Sequence, residues 1–113
     1  MEFTADNAKM RYDVESKTVF LEGTFRLNTD QYDGMSKMFN DVLATNPDKL
    51  NLDLTSLEFL NSSGINVIAK FVIAVRNIKT VSLTVHGSKD IPWQGKSLPN
   101  LKKLHSAVQL TID

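Results

Sequence analysis

Two adjacent hydroxyls, Ser62 and Ser63, stand where this chain could do chemistry. They lie in the polar tetrad Asn61-Ser62-Ser63-Gly64, between a strand-like run ending at Leu60 and an apolar run beginning at Ile65. A serine there could act as a nucleophile if a histidine and a carboxylate converged on it. It could cap a helix, or accept a phosphoryl group at the positive end of that helix. The nucleophile reading finds little support. No Gly-x-Ser-x-Gly elbow surrounds either serine, and neither a Gly-Lys-Ser/Thr phosphate loop nor a Gly-x-Gly-x-x-Gly fingerprint occurs. His86 and His105 are the only histidines and lack the paired spacing of metal ligands. No cysteine is present, which removes disulfides, thiolate metal sites and cysteine nucleophiles together. The expectation is a chain with no catalytic residues, no metal and no cofactor.

The other two readings share one geometry. Asn61 or Ser62 can accept from first-turn amides, and Gly64 eases the chain into the helix. The same serine, exposed beyond the carboxyl end of a strand, would hold a phosphate of about −1.5 to −2 charges against free amides. Residue types alone leave both open.

The elements that must position this turn are legible on either side. Leu50, Leu52 and Leu54 alternate with Asn51, Asp53 and Thr55, the period of a strand. Leu57, Phe59 and Leu60 carry the apolar character on to the turn. Residues 63–77 are mostly apolar and too many for an ordinary strand. Placed at ~100° per residue, Val67, Ile68, Phe71, Val72, Ala74 and Val75 form one arc. Asn66, Lys70 and Asn77 fall opposite, with Ile73 among them. An apolar residue ringed by polar ones is typical of an interface centre, so Asn66, Lys70, Ile73 and Asn77 are the expected partner-binding face.

Further out, Met10, Tyr12 and Val14, then residues 18–23, predict an N-terminal hairpin. Residues 2–4 carry no decisive pattern. Asn28-Thr29-Asp30 supplies cap chemistry for a helix through Tyr32, Met35, Phe39, Val42 and Leu43, stopped by Asn46-Pro47-Asp48. Val81, Leu83 and Val85 predict another strand, and residues 88–92 a loop. Leu98, Leu101 and Leu104 suggest a last helix starting near Ser97-Leu98-Pro99, and Val108, Leu110 and Ile112 a closing strand. Trp93 is expected to pack on a sheet edge. The order β-β-α-β-α-β-α-β predicts an α/β domain with about three helices, right-handed crossovers and a mixed sheet.

Composition agrees. The 113 residues, 42% hydrophobic and 23% charged, suit a single domain over 1–113. Thirteen basic and 13 acidic residues balance, with no long run of one sign, so non-specific binding to nucleic acid or an anionic membrane is not suggested. No signal-peptide core opens the chain and no apolar run approaches the ~20 residues of a membrane helix. A soluble, cytoplasmic protein is expected. Oligomeric state is not readable.

The run from Leu52 to Ile65, Leu-Asp-Leu-Thr-Ser-Leu-Glu-Phe-Leu-Asn-Ser-Ser-Gly-Ile, resembles the signature of STAS domains, the anti-sigma factor antagonists of bacterial partner-switching systems. That pattern is roughly Leu-Asp-Leu-Ser, a spacer with Phe, then Asp-Ser-Ser-Gly-Leu. The resemblance implies a STAS-like α/β domain without activity of its own, acting in signal transduction and transcription regulation. It implies phosphorylation at Ser62 by an anti-sigma-type serine kinase, reversed by a PP2C-type phosphatase. Ser63 and Gly64 complete the turn, and the unmodified form binds the kinase. Asp53 matches the family's strand aspartate. Asn61 departs from the family, standing where aspartate is usual. So does Gly23-Thr24-Phe25-Arg26-Leu27-Asn28, where Gly-x-Leu-Asp is usual. The alternative is a STAS-like scaffold or sensor subunit in which Ser62 is only a helix cap.

Overall fold

The computed structural model describes all of residues 1–113. Its elements are β1 (Glu2–Ala5), β2 (Ala8–Asp13), β3 (Thr18–Phe25), α1 (Thr29–Ala44), β4 (Lys49–Leu60), α2 (Ser62–Ile78), β5 (Ser82–Gly87), α3 (Pro92–Ser97), a 3₁₀ turn (Leu98–Asn100), α4 (Leu101–Leu104) and β6 (Gln109–Ile112). The six strands lie in one sheet in chain order. The pairs β1–β2 and β2–β3 are antiparallel; β3–β4, β4–β5 and β5–β6 are parallel. The mixed α/β sheet is the one the element order predicts. Parallel neighbours taken in sequence by right-handed crossovers put every helix on one face. Burial follows: Leu50, Leu52 and Leu54 of β4 are buried, while Asn51 and Asp53 face the open side.

Three details differ from the sequence reading. Val14, expected in a half-buried strand with Met10 and Tyr12, lies beyond the end of β2 at Asp13 and is 71% exposed. The leading hairpin is a three-stranded meander, because residues 2–5 pair with residues 8–11. Gly34 makes room for that strand: a Cβ there would lie 2.6 Å from the Phe3 ring. The third helix begins at Pro92 and is broken, passing through a 3₁₀ turn at Pro99. Proline lacks the amide a continuous helix would need.

Strand β4 outruns its neighbour. It pairs with β5 only over Lys49–Asp53 but with β3 out to Leu60. Its register against β3 shifts between Phe20 and Glu22 and again between Gly23 and Thr24. Each shift inverts the alternation, which is how Leu54, Leu57 and Leu60, three apart, all point into the core. Gly23, at the second shift, has φ +90, and a Cβ there would meet the Asn7 carbonyl. Asp53 holds the first, its Oδ1 accepting from Thr55 N–H at 2.9 Å and Thr55 O–H at 2.6 Å.

On the other side of β4, side chains replace the missing strand. Gln94, with no exposed surface, donates from Nε2 to the Leu54 and Leu57 carbonyls at 2.7 and 3.0 Å. Its Oε1 accepts from Ser88 N–H at 2.7 Å. Trp93 Nε1 donates to Glu58 O at 3.0 Å, so the tryptophan does pack on the sheet, from a helix rather than a loop.

Candidate functional site

The long β4 delivers the Asn61–Gly64 turn to the start of α2. Asn61 is the N-cap, with extended backbone (φ −77, ψ 174). Its Oδ1 accepts the Gly64 amide at 3.1 Å, and its carbonyl accepts the Ile65 amide at 3.0 Å. Capping falls to Asn61 and not to Ser62, whose hydroxyl has no hydrogen-bond partner in the chain.

Asn61 does more than cap. Its Oδ1 also lies 2.6 Å from the Tyr32 hydroxyl of α1, and its Nδ2 donates to the Leu27 carbonyl at 3.1 Å. The Asn61 amide donates to the Phe25 carbonyl, which the Tyr32 hydroxyl also approaches, at 2.9 Å. The single phenol proton serves one of these two oxygens at a time. The turn is thereby tied to the end of β3, the β3–α1 loop and the first turn of α1. Tyr32 is 3% exposed, and burial raises its pKa above the ordinary tyrosine value, opposed by a backbone hydrogen bond from Leu27.

This wiring explains the departure at position 61. Nδ2 faces a carbonyl, so the residue must donate there. A carboxylate would set a negative oxygen against Leu27 O, whereas asparagine satisfies both sides. The wiring also gives Gly64 a role other than the expected one. A Cβ at Gly64 would lie 2.3 Å from Leu60 Cδ1 and 2.7 Å from Tyr32 Oη. Glycine is required by the closeness of Tyr32 and Leu60, not by the entry angle of the helix.

Ser62 and Ser63 occupy the first two helical positions and are exposed. Their backbone amides have no partner, while those of Gly64 and Ile65 are bonded to Asn61. No acidic residue lies in the first turn of α2. The two free amides and the helix dipole therefore present an uncompensated positive end beside two hydroxyls. The serines point to different sides. Ser63 lines the groove between α1 and α2 with Thr29, Asp33, Ser36, Asn66, Val67 and Lys70. Ser62, 100° away on the helix, falls on the outward stripe that continues through Asn66, Ile73 and Asn77.

The expected partner face is on that outward side. Asn66, Lys70 and Asn77 are exposed and Ile73 is half-buried. Lys70 and Asn66 also form the rim of the α1–α2 groove. His86 lies on the open sheet face, opposite Asp53 in register, and His105 follows α4; neither is hydrogen-bonded to Ser62 or Ser63. Tyr32, which holds the turn, and Gln94, which holds the strand leading to it, are the residues whose roles sequence reasoning missed. A tyrosine at a core position of α1 is the signal for the first, since a buried phenol needs a partner.

No protein-family model matches the chain, and no curated protein matches it in sequence. Solved structures do match in shape. A chain of the crystal structure of the diguanylate cyclase SiaD in complex with its activator SiaC, from Pseudomonas aeruginosa, superposes with TM-score 0.76 at 15% identity, covering 100% of this chain and 99% of that one. SiaC of Pseudomonas aeruginosa gives TM-score 0.65 at 14% identity, covering 99% of this chain and 93% of that one. An anti-sigma factor antagonist from Mycobacterium paratuberculosis gives 0.58 at 17%, covering 98% and 82%. The chain shares the fold of these structures, a STAS-like α/β domain. No helix is long and apolar enough to cross a membrane.

Proposed function

We propose that this chain is a non-catalytic regulatory module that exchanges protein partners according to whether Ser62 carries a phosphate. The observation that carries the reading is Ser62 itself: exposed, released from capping by Asn61, and beside two unpartnered amides at the start of α2. An anti-sigma-type serine kinase adds the phosphate and a PP2C-type phosphatase removes it. The unmodified form binds the kinase across Asn66, Lys70, Ile73 and Asn77. Ser63 and Gly64 shape the turn and Asn61 anchors it. Two negative charges on a face desolvated in the complex cost about several kcal/mol unless cations meet them. That is orders of magnitude in partner occupancy. The shape likeness to SiaC, an activator of a diguanylate cyclase, and to an anti-sigma factor antagonist supports a protein partner in signalling. The module acts in the cytoplasm.

The test is incubation of the chain with ATP and an anti-sigma-type serine kinase encoded beside its gene, read by intact mass. Wild type should gain one phosphate and Ser62→Ala none. Ser62→Asp should bind that kinase at least about tenfold more weakly. Ile73→Asp should weaken binding with an unchanged melting temperature. Unmodified mass, or modification retained in Ser62→Ala, refutes the reading. Unmodified mass with kinase binding intact would favour the scaffold alternative, in which partner docking does not depend on modification.

A further inference from the structure

The net charge of zero hides a division. Residues 1–61 carry six cations and 11 acids; residues 62–113 carry seven cations and two acids. The seven are Lys70, Arg76, Lys79, Lys89, Lys96, Lys102 and Lys103, against Asp90 and Asp113. Because the strands lie in the sheet in chain order, a division along the sequence is also a division across the molecule. The β1–β3 side is acidic and the β5–β6 side basic. Ion pairing deepens it. All three salt bridges, Arg11–Glu22, Lys17–Asp48 and Lys37–Asp41, lie within the first 61 residues. None of the seven later cations has a carboxylate partner; Arg76 donates to the Leu104 carbonyl instead.

A second observation falls on the same side. Gly95 sits inside α3, exposed, with no positive φ, and a Cβ there would meet nothing within 4 Å. Neither backbone conformation nor internal packing calls for glycine, although it is a poor helix former. The other structured glycines are explained by close contacts: Gly23, Gly34, Gly64 and Gly87 would each strike a neighbour. Lys96 follows Gly95 directly, and Lys102 and Lys103 are exposed on α4. Beside them, Ile65 and Trp93 border a shallow apolar cleft floored by Ile68, Leu98 and Leu101. That cleft reaches within one turn of Ser62.

We infer that the α3–α4 face is a docking surface for an acidic, amphipathic segment of a protein partner. The segment sets its carboxylates against Lys96, Lys102 and Lys103, its apolar side chains against Ile65 and Trp93, and its backbone close to Gly95. Such a face has the apolar centre and charged rim of a recognition site. A polypeptide fits better than nucleic acid. A duplex extends a dense, regular line of phosphates past any small patch. It would run on to the acidic half of a domain only 33 Å long. A short acidic segment can end where the lysines end. This inference does not rest on modification of Ser62.

The test uses the full chain and a fluorescein-labelled amphipathic peptide of about 20 residues, glutamates flanking a leucine stripe at helical spacing, followed by anisotropy. The peptide should bind, and the affinity should fall at least tenfold in the combined Lys96→Glu, Lys102→Glu, Lys103→Glu variant. The control Lys9→Glu, Lys49→Glu, in the acidic half, should leave it unchanged. Gly95→Gln separates docking from folding: it should raise the melting temperature, because the space is open, yet weaken the peptide about fivefold or more. Three results would each overturn the inference: no peptide binding, equal binding by the triple-lysine variant, or tighter binding of a 20-base-pair DNA duplex or of phosphatidylserine vesicles than of the peptide.

Discussion

The two long helices begin alike and are anchored differently. Asn28 caps α1 and Asn61 caps α2. At α1 the arrangement is self-contained: Asn28 Oδ1 accepts the Gln31 amide at 2.8 Å and Gln31 Oε1 accepts the Asn28 amide at 3.1 Å. Two residues three apart satisfy one another and Asp30 complements the dipole. At α2 there is no box and no first-turn acid. The cap reaches instead to Tyr32 and Leu27, 29 and 34 residues back. A local cap stabilises its own helix. A long-range cap also fixes that helix against another element, so the position of Ser62 depends on α1 and on the β3–α1 loop.

The sharpest way to break this contrast is to add one methyl group within the first two turns of each helix. Gly64→Ala must displace Leu60 and the Tyr32 hydroxyl, both held by the core. Overpacking of that kind should destabilise by about 1–3 kcal/mol in urea unfolding. Gly34→Ala meets only the ring of Phe3, half-buried on an edge strand, which can turn aside. With alanine the better helix former, its cost should stay below about 1 kcal/mol. Equal costs would mean that α2 is no more rigidly seated than α1.

A second pair exchanges amide for carboxylate. At Asn28 the amide nitrogen makes no hydrogen bond, so Asn28→Asp should be neutral or slightly stabilising, within about 0.5 kcal/mol. At Asn61 the same change removes the donor to Leu27 O and leaves acceptor against acceptor, for a loss of about 2 kcal/mol. Opposite signs at two asparagine caps would establish that position 61 is selected for its amide. If Asn61→Asp is instead neutral, the Leu27 contact carries no weight.

What could be read from the sequence tracks the same division between local and distant. The strand alternation of Leu50–Leu54, the helical arc of Ile68, Phe71, Val72 and Val75, and the cap at Asn28 are decided within a few residues, and all are found. The turn at Ser62 was legible because it is contiguous. Its supports were not. Tyr32 reads as one more core residue of α1, and nothing near it says that its hydroxyl meets Asn61. Gln94 falls between the predicted loop and the predicted last helix, where its neighbours give it no role; only the short β5 beside the long β4 leaves the carbonyls that bury it. Residues 2–5 become a strand because Gly34, on a helix far along the chain, leaves a seat for Phe3.

Tyr32→Phe is the mildest test of the long-range cap and the most specific. The phenol leaves no acceptor bare when removed, since Asn61 Oδ1 keeps the Gly64 amide and Phe25 O keeps the Asn61 amide. The loss at neutral pH should therefore be only about 1 kcal/mol. Its signature is the pH dependence. Burial raises the Tyr32 pKa, so the folded state favours the neutral phenol. That contribution is complete below the unfolded value of about 10 and is lost as pH rises through the higher folded value. A tyrosinate would also face two oxygens, those of Phe25 and Asn61. The stability gap between wild type and Tyr32→Phe should thus stay constant up to about pH 9 and narrow above about pH 10, where phenylalanine has no proton to lose. The cap at Asn28 has no titrating partner, so Asn28→Ala should run parallel to wild type over the same range. A Tyr32→Phe curve that also runs parallel would mean that the phenol proton does not hold α2 to α1.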